Sequence, residues 1–170
     1  ELGKILPQEI SFYGLTRTFQ EVRLFNQMKV LDNLLVVLTE RPVASAFLQR
    51  HDKFHLRRAH ELLEKVGLWE KKEELAVNLS YGQRKVLEIA RALGMDAKTY
   101  LLDEPFAGLS PAMVKTVTEI VRELKQEGKT VILVEHDMDL IRSLVDYLFV
   151  LDSGTLLAEG GAQEVLDKKE

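Results

Sequence analysis

The sequence predicts an α/β fold, a parallel sheet joined to a helical subdomain insert, on three observations. The segments TYLLD (99–103), TVILVE (130–135) and YLFVL (147–151) are short, nearly unbroken apolar runs, the pattern of strands covered on both faces. Helical spacing separates them, as in a parallel layer. The first hundred residues instead read as helices over 30–38, 52–66 and 80–94, punctuated by Pro42 and Gly67.

Each element has a local reason. In the second helix Ala59, Leu62, Leu63 and Val66 form an apolar stripe ending at Gly67, as a capped helix should. The third opens with Ser80 and carries Gln83 three residues on, a capping box, ahead of a core face of Val86, Ile89, Ala90 and Leu93. A further helix is expected from about Pro111 to Gln126 and another over 137–144. After YLFVL, the turn residues Asp152, Ser153 and Gly154 reverse the chain into TLLAEG, and a last helix starts near Ala162.

Bulk properties narrow the function classes. The chain has 170 residues, 46% hydrophobic and 29% charged, with a net charge of −4 and no cysteine. That balance argues against a nucleic-acid footprint, which needs a clustered basic face. Without cysteine there is neither a disulfide scaffold nor a thiolate metal site. No apolar run approaches the length that spans a bilayer. The sequence opens on Glu1 rather than Met, and further residues upstream are expected.

The stretch EGKT (127–130) imitates the end of a phosphate-binding loop. The pattern G-x-x-x-x-G-K-[ST] demands a glycine where Glu123 stands, and a carboxylate there would repel phosphate. An amphipathic helix with Val117, Ile120, Val121 and Leu124 precedes it, whereas a phosphate loop follows a strand. Gly128 is therefore expected just past a helix end, with Lys129 leading into a strand.

Three other stretches carry chemistry. In LSYGQRKVLEIARAL (79–93), Ser80 and Gln83 can simply satisfy helix-end N–H groups. Gly82 adds a second reading, in which an anion approaches the positive end of the helix. In YLLDEPFAGLSP (100–111), a strand delivers Asp103 and Glu104 to the sheet edge where α/β proteins bind ligands. Their side chains point opposite ways. Asp103 suits magnesium and Glu104 suits polarising a water, while Pro105 biases Glu104 toward an extended backbone. A solvated turn is the competing reading of the two acids. In VILVEHDM (131–138), His136 lies beyond a strand on the same edge. His51 and His55, one helical turn apart, lack the third ligand of a metal site.

Together these elements resemble the nucleotide-binding subunit of an ABC transporter, over essentially the whole chain. LSYGQ (79–83) is similar to the family signature, YLLDE (100–104) to its Walker B strand with the catalytic glutamate, and AGLSP (107–111) to its D-loop. His136 matches the switch histidine and Gln20 the Q-loop glutamine. GLTRTFQEVRLFNQMKVLDNLLV and VEHDMDLI most resemble the ATPases of branched-chain amino-acid importers, with lipopolysaccharide-export ATPases as the alternative.

The resemblance implies a P-loop NTPase (ABC ATPase) fold that is incomplete at its N-terminus. Residues of about 20–95 would form the Q-loop and helical subdomain, and about 96–170 a RecA-like α/β half. It implies ATP and Mg2+ as cofactors, with Glu104 and His136 catalytic and Gln20 and Asp103 serving the metal. Ser80, Tyr81, Gly82 and Gln83 of the signature, with Gly108 and Ser110 of the D-loop, would meet nucleotide across an interface with a second ATPase subunit, identical or different. Membrane permease subunits are the other implied partners, placing the protein in the cytoplasm on the inner face of the cell membrane. Two departures stand out. No phosphate loop precedes Gln20, and Ser110 replaces the commoner Asn or Asp. The chain alone is thus expected to hydrolyse ATP negligibly, and either to self-associate through open strand edges or to continue into residues outside this sequence. Another class, a non-catalytic interaction module, fits the missing loop. A chromosome-maintenance ATPase would carry long heptad repeats, and none is present.

Overall fold

The helix caps expected from sequence are formed in the computed structural model, which describes residues 7–39 and 53–167. The described residues fall into two compact units, one up to Val134 and one from Glu135. In the first, β1 (Leu15–Arg17), β2 (Thr99–Asp103) and β3 (Thr130–Val134) form a parallel sheet in that spatial order. The helices are α1 (Val30–Leu38), α2 (Lys53–Lys65), α3 (Tyr81–Gly94) and α4 (Pro111–Gln126).

α1, α2 and α3 pack on one another. Their shared core contains Leu34, Leu63 and Leu87, all fully buried, each worth about 1.5–3 kcal/mol removed from water. α3 starts from the capping box: Gln83 N donates to Ser80 Oγ at 3.2 Å, and Ser80 N donates to Gln83 Oε1 at 3.0 Å. α4 starts from Ser110, whose hydroxyl accepts from Met113 N, with Pro111 in the first turn where its missing N–H costs nothing. Val117, Ile120, Val121 and Leu124 line its buried face, and α4 packs on β3.

EGKT is a helix stop. Gly128 N donates to Lys125 O at 3.0 Å and Lys129 N to Leu124 O at 3.0 Å, the double bond of a Schellman cap. Gly128 takes φ +73 there, which glycine alone adopts without strain. Lys129 Nζ is paired with Asp96 at 2.9 Å, so its charge is already engaged.

Two features of the sheet differ from expectation. β1 is not marked by any apolar run; it is three residues long and owes its strand state to pairing with β2 from Leu15↔Thr99 to Arg17↔Leu101. β3 is covered less than a two-faced strand requires, with Ile132 52% and Val134 56% exposed.

The second unit holds α5 (Met138–Leu144), β4 (Tyr147–Asp152), β5 (Thr155–Gly161) and α6 (Ala162–Asp167). Asp137 caps α5 by accepting from Asp139 N and Leu140 N. β4 and β5 form the expected hairpin about Ser153–Gly154, antiparallel, with an irregularity at Val150/Leu151. Among the described residues β4 pairs only with β5, so the parallel layer consists of β1 to β3. No helix among the described residues is long and apolar enough to cross a membrane.

Candidate functional site

Parallel pairing brings the chain after β1 alongside the C-terminal end of β2. Thr18 N donates to Leu101 O at 2.9 Å, and Asp103 N donates to the Thr18 hydroxyl at 3.3 Å. Thr18 is buried at this junction. Beyond it Gln20 reaches the acids: its Nε2 lies 3.4 Å from Glu104 Oε2, a long hydrogen bond. Asp103 points elsewhere and accepts from Arg17 at 3.1 Å. The two adjacent acids therefore occupy different environments, as strand alternation requires.

The backbone at Glu104 corrects the sequence reading. An extended conformation was expected from the following Pro105, but Glu104 has φ +44. A following proline chiefly disfavours the right-handed helical region, and the Glu104 N–H is pinned at 2.9 Å to Val134 O. That bond across the sheet end overrides the local preference. A non-glycine residue with this φ is uncommon and clusters at functional sites.

The signature and D-loop segments meet within the first unit. A Cβ on Gly82 would stand 3.0 Å from Met113 Sδ and 3.5 Å from Gly108 O, and one on Gly108 would stand 2.9 Å from the Tyr81 ring. Gly82 is buried by this approach. Its missing side chain thus has a packing reason in the α3–α4 contact, beside the anion access suggested by sequence. Ser80 and Tyr81 at the helix start are exposed, as are Gly108 and Ser110. Ser80 and Gln83 form their capping box, which leaves the Ser80 O–H to donate outward.

His136 belongs to the second unit, with an exposed side chain, and its N–H donates to Glu135 Oε2 at 3.2 Å. His51 lies outside the described residues, and His55 contacts Phe54 on α2. Among the described residues no group of three or more His, Asp or Glu could hold a metal by itself. Asp103 and Gln20 do offer the oxygen donors a hard cation prefers, and magnesium is usually held by one or two carboxylates together with substrate phosphates. Asp103 and Gln20 can each contribute a donor to that shared mode, in which phosphates complete the coordination.

Sequence reasoning missed a second set of residues. Lys85 and Glu88 are buried within α3, where charged side chains are seldom found unless paired. Lys85 Nζ donates to Gln20 O at 3.2 Å, Glu88 Oε1 accepts from Arg23 N at 3.1 Å, and Arg91 donates to Arg23 O at 2.7 Å. Burial pushes the Glu88 carboxyl above its ordinary range, opposed by the Arg23 amide and by Lys85 and Arg91. Asn33, also buried, both accepts from Phe25 N and donates to Phe25 O. The available signal was the spacing of Lys85, Glu88 and Arg91, which puts three ionisable groups on one helical face.

Comparison with known proteins adds to this geometry. The family model described as ABC transporter matches residues 8–107. The high-affinity branched-chain amino acid transport ATP-binding protein LivG of Salmonella typhimurium is 38% identical over 167 residues, covering 93% of this chain and 66% of that protein. BraF of Pseudomonas aeruginosa, similarly described, is 36% identical, covering 100% of this chain and 70% of that protein. A solved ATP-binding cassette of an ABC transporter superimposes with a TM-score of 0.76 at 34% identity, over 95% of this chain and 66% of the other. The chain spans about two thirds of the length of the relatives it matches.

Proposed function

The chain belongs to the ABC transporter family, and on that premise we propose that it forms the signature-bearing and water-activating part of an ATPase that powers branched-chain amino-acid import. The observation that carries the reading is the Gln20 amide against the Glu104 carboxylate, beside Asp103, at one end of a parallel sheet. The names of its relatives, LivG and BraF, support the transported class.

Glu104 accepts a proton from a water as that oxygen attacks the terminal phosphorus of ATP. The bond to the bridging oxygen breaks, leaving ADP and phosphate. Gln20 orients the carboxylate through Nε2, and Asp103 and the Gln20 side-chain Oε1 are the groups that would hold Mg2+. The metal, when bound, offsets phosphate charge. The family motif assigns His136 to the same phosphate. Ser80 and the N–H groups opening α3 face nucleotide carried by a second ATPase subunit, where helix-end N–H groups favour an anion. Membrane permease subunits receive the resulting motion, at the inner face of the cell membrane.

The 170 residues contain no G-x-x-x-x-G-K-[ST] pattern, so alone they turn ATP over negligibly. A second reading is a non-catalytic interaction module. One experiment separates them: sedimentation of the protein with a complete branched-chain importer ATPase, with and without ATP. Association that requires ATP, and that Ser80→Asp abolishes, is expected. Asp caps a helix as well as Ser but repels phosphate. Association indifferent to ATP supports the module, and no association overturns both.

A further inference from the structure

Lys85 is a buried cation, 1% exposed, and its ammonium donates to a main-chain carbonyl, that of Gln20. The contacts of Glu88 and Arg91 with the N–H and C=O of Arg23 continue the same face of α3. The strap 20–23 is therefore fastened to α3 through backbone groups, whatever side chains it carries. Its side-chain end is functional: the Gln20 amide lies 3.4 Å from Glu104. α3 in turn begins at the exposed Ser80.

We infer that Lys85 is a positioning residue: by holding the Gln20 carbonyl it sets the Gln20 amide against Glu104 and makes that contact follow any displacement of α3. This inference rests on the function proposed above, and it adds a link between the helix that meets the neighbour's nucleotide and the carboxylate that activates water. The physical reason is stiffness. A buried ammonium whose acceptor moves away is left unsatisfied at high cost, so strap and helix shift together. A surface lysine would let the strap slide.

The test is by NMR on the whole chain, comparing Lys85→Met, which keeps length without charge, and Lys85→Arg, which keeps the donor. In the wild type the Gln20 side-chain amide resonance is expected to shift in Glu104→Gln. In Lys85→Met that response is lost, and amide exchange over 20–23 rises at least about tenfold while α3 stays protected. Lys85→Arg recovers both. Exchange over 20–23 that is unchanged, or that rises equally along α3, overturns the inference, as does a Gln20 resonance that still answers to Glu104→Gln. Should Lys85→Met not fold, Lys85→Ala, which admits water to the carbonyl, decides by the same readouts. Neither readout needs nucleotide. A loosened strap without ATP-dependent association keeps the positioning role and sinks the proposed function; ATP-dependent association with an unmoved strap does the reverse.

Discussion

The backbone N–H of Glu104 donates to the carbonyl of Val134 at 2.9 Å, fastening the end of β2 to the end of β3 while Glu104 holds φ +44. This is a strained residue kept in place by a sheet-end bond, at the position whose carboxylate faces Gln20.

Relief of that strain is measurable. Glu104→Gly is expected to raise stability by about 1 kcal/mol, because a left-handed conformation costs a side-chain-bearing residue that much and glycine nothing. Urea unfolding of the two proteins checks it. A loss of stability would mean that the side chain contributes more than its backbone costs.

Gly108, with φ +70 and the Tyr81 ring 2.9 Å from where a Cβ would sit, meets two penalties at once. Gly108→Ala should destabilise by roughly 1–3 kcal/mol. Adding Tyr81→Ala should recover the steric share and leave the backbone share. Denaturant midpoints of the single and double variants separate them.

Glu88 makes stability depend on pH. Burial raises its carboxyl above the ordinary 4.5, so the folded state binds a proton more tightly than the unfolded one. Its contribution is fully present below 4.5 and declines as pH rises through the folded value. Glu88→Gln, which can still accept from the Arg23 N–H, should remove that decline. Urea midpoints from pH 4 to 8 for both proteins are the check.

β3 pairs only with β2 among the described residues, and its exposed Ile132 and Val134 invite association. Sedimentation of the wild type should show concentration-dependent self-association, and Ile132→Lys should weaken it about tenfold, since a charge opposes strand addition.

Legibility followed locality. The start of α3 could be read because Ser80 caps within three residues of itself, while α4 and α5 start within a residue of the expected positions on caps at Ser110 and Asp137 that were not read from sequence. Gly128 could be read as a stop for the same reason as Ser80. β1 could not, since three residues carry no periodicity and pairing with a strand more than eighty residues away makes them a strand. Lys85 was hidden because its acceptor, the Gln20 carbonyl, is 65 residues distant.

The sequence by itself determined the caps, the apolar stripes, the family and the residue types at the rim, because each depends on near neighbours or on motif spacing. Only the tertiary structure decided that Gln20 turns to Glu104 while Asp103 is held by Arg17. It also decided the left-handed turn at Glu104 and the burial of Lys85 beneath the strap. Those outcomes arise where distant segments compete for the same hydrogen-bonding groups, and the partner that folding brings closest prevails over local preference.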